Sequence, residues 1–567
     1  MHPTRTRRSA FRLAFALLWA LGACSADVDI ETDLQCTNDP CSVPGDTLCD
    51  GTQIVECVES DPACGLEWTA VLDCADADQT CSVADDEAAC ATRLDCPDTP
   101  CVAVGAQCDG NAVRTCETDA DGCLVVASTE DCAGLGQVCA EGPPAACETL
   151  GDAIIVGDYV YEVVVDLDST NPGAFGPFQY LEQNPTLDPV TDEPTVYFRA
   201  TSSPPITPPQ ASPARALYSW TPSQGIALIA EATNPIPRGF GGFTSFGQLA
   251  NNPPIGYDGA VTFVGDGMDL QRGVYRHANG TTDLIADKGF AVPGGTGTFT
   301  GLGEPHIIGN EVVFLGTAPG GGGFYRWNAG EPVVFVDLNT PNPVADGDYT
   351  GLGLTDFNGT DGIFLGYGAP LPGASYTGNQ TSLFIASTSG GAHDVIATKE
   401  TAMPDVDDQF TILTGGLFDG DGVFFHGRGS VGPIGPFGSI VHKGLYRWED
   451  GTIETIVNTQ DVMPGSSVTF SEDFANGITS QYMATHGGDL LYRGVGTVED
   501  ERVLYGIYRY RGDTGVSEKV IDTSDRFDGK VMTDILMSRK SFLGDHFVVW
   551  IRFDDDSQGI YLGQPLD

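Results

Sequence analysis

LIADKGFAVPGGTGTFTGLGEPHIIGNEVVFLGTAPGGGGFYRW, residues 284–327, decides how this chain is built. A proline, five residues and an aromatic recur as Pro172/Phe178, Pro237/Phe243, Pro293/Phe299, Pro343/Tyr349, Pro404/Phe410 and Pro464/Phe470. A degraded seventh copy has Arg526 and Met532. A second column is an aromatic closing a short apolar run: Phe198, Phe263, Phe314, Phe364, Phe425, Tyr492 and Trp550. A third follows the pattern G-x-Y: Tyr218, Tyr275, Tyr325, Phe384, Tyr446, Tyr508 and Tyr561. Three columns of seven members mark a repeat architecture.

Each repeat has room for four strands. In 284–327 and just beyond they are expected near 298–303, 311–316, 323–327 and 331–337, with turn signals at Gly309-Asn310, 320–323 and 328–330. Glycine (73) and proline (36) are abundant and no long helical period appears, as suits short strands and tight turns. Proline is poor inside a strand, so the proline of each pair marks a step between sheets. The domain starts with the end of a repeat, since VVVDLDSTNP before Pro172 parallels VFVDLNTPNP before Pro343. It finishes with the start of one, VVWIRF and GIYLG. The expected fold is all-β: a seven-bladed β-propeller over 151–567 in which strand 159–168 closes the last blade, leaving no open edge.

The start of the chain carries an address. Arg5, Arg7, Arg8 and Arg12 precede eleven apolar residues, too few to span a bilayer at ~20 per helix, so 1–23 reads as a signal peptide. Leu21-Gly22-Ala23-Cys24 resembles the bacterial lipobox, which implies cleavage before Cys24 and its acylation, with 24–35 as a linker. Ser25 in the next position favours the Gram-negative outer membrane. Formal charge is −51, or −55 without the four arginines of 1–23, which excludes nucleic acid and anionic lipid as partners.

All 17 cysteines precede residue 148. Apart from Cys24 they fall into two sets of eight. Module 1, 36–90, holds Cys36, Cys41, Cys49, Cys57, Cys64, Cys74, Cys81 and Cys90. Module 2, 96–147, holds Cys96, Cys101, Cys108, Cys116, Cys123, Cys132, Cys139 and Cys147. Modules this small need disulfides to fold, four each here, in an oxidising compartment. The connectivity is open. No C-x2-C occurs, which argues against zinc. Residues 24–150 hold 27 Asp+Glu against Arg93 and Arg114, as suits a soluble stalk.

The set P-G-x-x-x-x-F, G-N-E-V-V-F and G-F-Y resembles a family of bacterial exported proteins whose tandem repeats carry an N-x-x-G-x-x-A-F signature and which use varied surface anchors. The resemblance covers about 159–567. It implies a surface role and no agreed catalytic chemistry.

No G-x-S-x-G, H-E-x-x-H or Walker loop is present, and the eight histidines share no repeat column. Asp356, Asn358 and Asp361, with Asp419 and Asp421 at the equivalent turn, could hold calcium through loop oxygens. Asp-Gly is also the ordinary hairpin turn, and no cofactor is required. The expected function is a non-catalytic, monomeric surface lipoprotein binding protein or glycan. The alternatives are a polysaccharide hydrolase or lyase and a structural envelope component. The expected binding face carries the P-x5-F connections and the long 366–382 and 427–443 loops, with Tyr376, Asn379, Arg428 and His442 as contacts.

Cys24→Ala is expected to move the protein from the membrane to the soluble fraction. Unchanged fractionation would exclude the lipid anchor.

Overall fold

The proline–aromatic pairs become tight hairpins. The computed structural model describes residues 153–566 except 174–175, 192, 203–213, 248–252, 329, 370–379, 405, 421, 436–437, 472–481 and 499–501. It also describes 47–50, 53–61, 65–73, 79–84, 87–92, 101, 104–109, 112–119, 123–131, 138–140 and 146–148. In five connectors a single bridge pulls the ends together: Pro235 with Gly242, Ala291 with Thr298, Pro341 with Asp348, Ala402 with Gln409 and Val462 with Thr469. Inside it the amides of Ile236, Val292, Asn342, Met403 and Met463 donate to the carbonyls of Gly241, Gly297, Gly347, Asp408 and Val468. The constant spacing is therefore the span of a hairpin. That hairpin buries Ile236, Val292, Met403 and Met463 at one foot and Phe243, Phe299, Phe410 and Phe470 at the other.

The three aromatic columns then meet. Phe243, Phe299 and Phe410 stand edge-on to Tyr275, Tyr325 and Tyr446, with ring centres 5.0, 4.9 and 5.0 Å apart. The same tyrosines lie nearly flat against Phe263, Phe314 and Phe425 at 5.7, 5.9 and 5.6 Å. Each such pair contributes about 0.5–1.5 kcal/mol beyond its area burial. Two glycines make the room. A Cβ on Gly316 would sit 2.5 Å from Phe299 and 2.8 Å from Tyr325, and Gly265, Gly366, Gly427 and Gly494 meet their rings as closely. The glycine of G-x-Y lies under its own tyrosine: a Cβ on Gly506 would meet the Tyr508 hydroxyl at 2.4 Å.

Among the described residues, 153–566 form seven antiparallel sheets and no α-helix. Most are four-stranded meanders, such as Gly301–Ile308, Glu311–Ala318, Gly321–Asn328 and Val333–Asp337. Their innermost strands touch in succession: Thr186–Leu187, Ile255–Tyr257, Gly301–Ile308, Asp346–Phe357, Ile412–Asp419, Met483–His486 and Phe542–Leu543. The last touches the first again, so the sheets close a ring around an axis. This is the arrangement of a β-propeller.

The two chain ends share a sheet. Tyr159–Asp166 pairs antiparallel with Gln558–Pro565, from Tyr159 opposite Pro565 to Asp166 opposite Gly559. Ile154–Val156 adds one more strand outside it. Tyr161 is fully buried there, edge-on to Phe527 and Phe547 at 5.1 and 5.7 Å.

Two expectations shift. In the last repeat Val549, not Trp550, stands opposite Tyr561. Phe527 rather than Met532 supplies the edge-on ring, 4.5 Å from Tyr561. The expected loop at 427–443 is instead a long hairpin: Gly422–Gly435 and Gly438–Glu449 stay paired out to Gly435 opposite Gly438.

Contacts divide the chain into two units, 1–104 with 116–127 and 105–115 with 128–567. In the first, Thr47–Asp50, Gln53–Asp61 and Gly65–Asp73 form a sheet, and Gln79–Ala84 pairs with Glu87–Thr92. The second cysteine set has the same succession: Gly105–Asp109, Ala112–Thr118, Leu124–Asp131, Val138–Ala140 and Ala146–Glu148. Cys101 is bonded to Cys116, and Cys123 is also disulfide-bonded. Residues 1–46, with the expected signal peptide and Cys24, lie outside the described residues.

Gly316→Ala is expected to lower stability by about 1–3 kcal/mol, because the rings above it have no slack. In the same fold Gly353→Ala should be nearly neutral, since its Cβ would meet only Leu365 at 3.9 Å. Urea unfolding of the two variants checks this. Equal midpoints would remove the packing role assigned to the glycine.

Candidate functional site at the central channel

The innermost strands are irregular where they line the axis. Register breaks fall between Gly303 and His306, Leu354 and Asp356, and Thr414 and Gly416. A β-bulge re-aims the side chains beside it. In the last sheet the interruption is longer, from Leu536 to Phe542. That segment reaches across the channel. Ser538 Oγ donates to the Pro185 carbonyl, the Leu187 amide donates to the Lys540 carbonyl at 2.6 Å, and Arg539 donates to the Thr355 carbonyl at 3.1 Å.

A cluster of charge sits at the centre. Lys540 Nζ is 2.6 Å from Asp356 Oδ1, and the Phe418 amide donates to Asp356 Oδ2 at 2.9 Å. His306 Nδ1 lies 3.9 Å from the same carboxylate. Two cavities flank this cluster and share Ile255, His306 and Lys540. The first, about 330 Å³, is lined by Glu304, His306, Tyr367, Thr414, Arg539 and Lys540 among others. The second, about 400 Å³, has Tyr257, Asp356, Phe418, Asp419, His486 and Phe542 in its wall.

Strand direction tells which face each cavity serves. The first is lined by Glu304–His306 and Gly353–Thr355, which precede the second cavity's His306–Ile308 and Asp356–Phe357 along the same inner strands and so lie nearer the strand starts, and by Tyr367 near the end of Asp361–Ala369. In an antiparallel meander those ends lie beside the P-x5-F hairpins. The second cavity uses the ends of inner strands and their turns at Asn358, Gly420 and Gly487, and so serves the opposite face.

Burial sets the protonation states. It pushes His306 down to about 4, helped by Lys540 and Arg539 and opposed by Asp356. Burial also pushes His426 down to about 4, with Lys443 and Arg428 adding to it; its Nδ1 is 2.7 Å from Thr414 Oγ1. Burial raises Glu304 above the usual carboxyl value against the pull of Arg539, and raises the Tyr367 phenol. Burial alone would raise Asp356 too, but Lys540, His306 and the Phe418 amide hold it below the usual value.

The sequence-named residues are scattered. Tyr376, Asn379 and Asp421 lie outside the described residues. Arg428 is half-buried on a strand. His442 is 6% exposed, with Nε2 3.4 Å from Gln460 Nε2, so it is not an open-loop contact. The long hairpin absorbs both residues into paired backbone. Asp356 and Asp419 do come together in the second cavity, but Lys540 takes up the Asp356 charge. Asn358 Oδ1 accepts the Thr360 and Asp361 amides of its own turn. Among the described residues no three His, Cys, Asp or Glu side chains group to hold a metal. Sequence reading missed Glu304, Tyr367, Arg539 and Lys540. One signal was present: Arg539-Lys540 is the single place after residue 23 where two Lys or Arg residues are adjacent.

A family described as of unknown function (DUF7453) matches residues 161–323. No curated protein matches the chain. Among solved structures, the β-propeller domain of the Trilobed protease from Pyrococcus furiosus is similar at TM-score 0.39 and 8% identity, over 69% of this chain and 98% of that one. Polysaccharide lyase Uly1 is similar at TM-score 0.39 and 11% identity, over 70% and 94%. An ulvan lyase of polysaccharide lyase family PL25 is similar at TM-score 0.36 and 10% identity, over 70% and 94%. These neighbours are lyases and a protease domain, so the expectation that the chain is not an enzyme is withdrawn. At such identity they assign no active-site residue.

His306 and His426 stay neutral in the folded chain to about pH 4, whereas in the unfolded chain they take up protons near the usual 6.5. Stability is therefore full above pH 6.5 and falls as pH drops from there toward 4. Urea midpoints at pH 7.5 and 4.5 should differ less for His306→Gln/His426→Gln than for the parent. An equal difference would place the acid sensitivity elsewhere.

Proposed function

We propose that the ring is a seven-bladed propeller, each sheet one blade, and that it cleaves a polysaccharide at the channel mouth on the P-x5-F face. The signal peptide, lipid anchor and disulfide-rich modules would place it on the outer membrane, facing external polymer. The observation that carries the reading is the convergence of Glu304, His306, Tyr367, Arg539 and Lys540 on one cavity of about 330 Å³. A pocket with several titratable groups shifted by burial, here His306, Glu304, Tyr367 and Arg539, is a general mark of a reactive site. Its wall also suits a sugar, which has polar edges and apolar faces: Asn184, Thr414 and Tyr367 offer hydrogen bonds beside Pro253, Leu354 and Leu365. The acidic body disfavours nucleic acid as substrate.

Purified protein is expected to release new reducing ends from one or more polysaccharides in a panel of acidic and neutral polymers. Arg539→Ala should lower the rate by roughly 10²–10³-fold, the usual effect of losing one electrostatic donor at a reacting centre. Absence of cleavage, or a wild-type rate in a folded Arg539→Ala protein, would overturn the assignment.

A further inference from the structure

We infer that the substrate is a uronate-containing polymer and that the bond is broken by β-elimination; this rests on the assignment of polysaccharide cleavage to this cavity. Hydrolysis of a glycosidic bond ordinarily needs two carboxyl groups facing the bond, one as acid and one as base or nucleophile. Among the described residues, Glu304 is the carboxyl group in the wall on this side of the channel. Asp356 belongs to the other cavity, with one oxygen on Lys540 and the other on the Phe418 amide. Among the described residues the two-carboxylate arrangement is not assembled.

The groups that elimination needs are assembled. It requires a cation beside the substrate carboxylate, a neutral base at the C5 hydrogen and a proton donor at the leaving oxygen. Arg539 brings a positive charge to the cavity, in a chain whose formal charge is −51, while the charge of Lys540 beside it is paired with Asp356. His306 stands beside it, nine-tenths buried, its Nδ1 turned toward Asp356 at 3.9 Å, which leaves Nε2 as the nitrogen for substrate. Tyr367 contributes a phenol from the neighbouring strand Asp361–Ala369. Burial keeps the imidazole uncharged and the phenol protonated at neutral pH, the forms that accept and give a proton.

The step balances without a further reactant. The C5–H bond breaks and its proton goes to the His306 imidazole. The electron pair forms the C4–C5 double bond, and the C4–O4 bond breaks. O4 leaves with the proton of the Tyr367 hydroxyl. The imidazolium proton then returns to the phenolate through solvent. Arg539 stabilises the charge that builds on the carboxylate while C5 loses its proton.

The test uses the full chain with polygalacturonate, alginate and a glucuronate-containing glycosaminoglycan, each also in carboxyl-reduced form, and with neutral glucans. New reducing ends and the ultraviolet absorbance of the unsaturated product are read together. Absorbance rising with reducing ends on a uronate polymer, and lost on carboxyl reduction, is the expected result. Reducing ends without absorbance, or cleavage of neutral glucans alone, would overturn elimination while leaving polysaccharide cleavage standing. No reducing ends from any polymer would remove both. Tyr367→Phe, which keeps the ring, and His306→Gln should each lower kcat by roughly 10²–10⁴-fold with little change in KM. Arg539→Lys should retain part of the activity lost in Arg539→Gln. Wild-type kcat in folded Tyr367→Phe and His306→Gln proteins would overturn their roles.

Discussion

A tyrosine ring folded back over a glycine, with one aromatic flat against it and another edge-on, is the contact on which the rest of this protein depends. The motif is repeated as Phe243/Phe263/Tyr275, Phe299/Phe314/Tyr325 and Phe410/Phe425/Tyr446, with ring separations between 4.9 and 6.2 Å. It couples three places in the chain. The edge-on ring comes from a connector hairpin, the flat one from the second strand and the tyrosine from the third. Each sheet is thus fastened to the connector that leads into it, and the position of every inner strand follows from that fastening.

Closure of the ring has a second consequence. The inner strands converge on an axis where side chains and backbone from several sheets compete for space. The bulges at Gly303/His306, Leu354/Asp356 and Thr414/Gly416 turn polar groups into that axis instead of continuing the pleat. The last sheet spends the residues between Leu536 and Phe542 on crossing it. The outer strand pairs bulge as well, but at the centre the bulges face buried charged groups, whose interactions a low local dielectric strengthens. The Asp356–Lys540 pair there divides the channel into two cavities of different chemistry, so its two mouths are not interchangeable.

The acidity of the body and the charge of the channel belong to different scales. Net charge governs solubility and which large partners approach. The electrostatics of the channel depend on a few groups whose states are set locally: His306 neutral through burial, Asp356 ionised through Lys540, and Glu304 raised against Arg539. A reading based on totals sees an acidic protein with no outstanding carboxylate pair and has no means of finding Arg539 and Lys540 in the wall of one cavity.

The repeat, the all-β class and the shared terminal sheet were legible in sequence because each rests on local regularity. A hairpin of constant length demands constant spacing between Pro293 and Phe299, and an edge-on ring demands a glycine two residues beyond Phe314. The resemblance of VVVDLDSTNP to VFVDLNTPNP likewise foretold that Tyr159–Asp166 would complete the last sheet. The long 427–443 segment was misjudged because its glycines and prolines resemble a loop, while the structure keeps it paired as a hairpin. The candidate site was illegible for a different reason. Glu304, Tyr367 and Arg539 come from three sheets and meet only because the ring closes and the inner strands bulge there. Spacing along a chain records contacts between near neighbours, and distances across a closed ring are decided by all of its sheets packing at once.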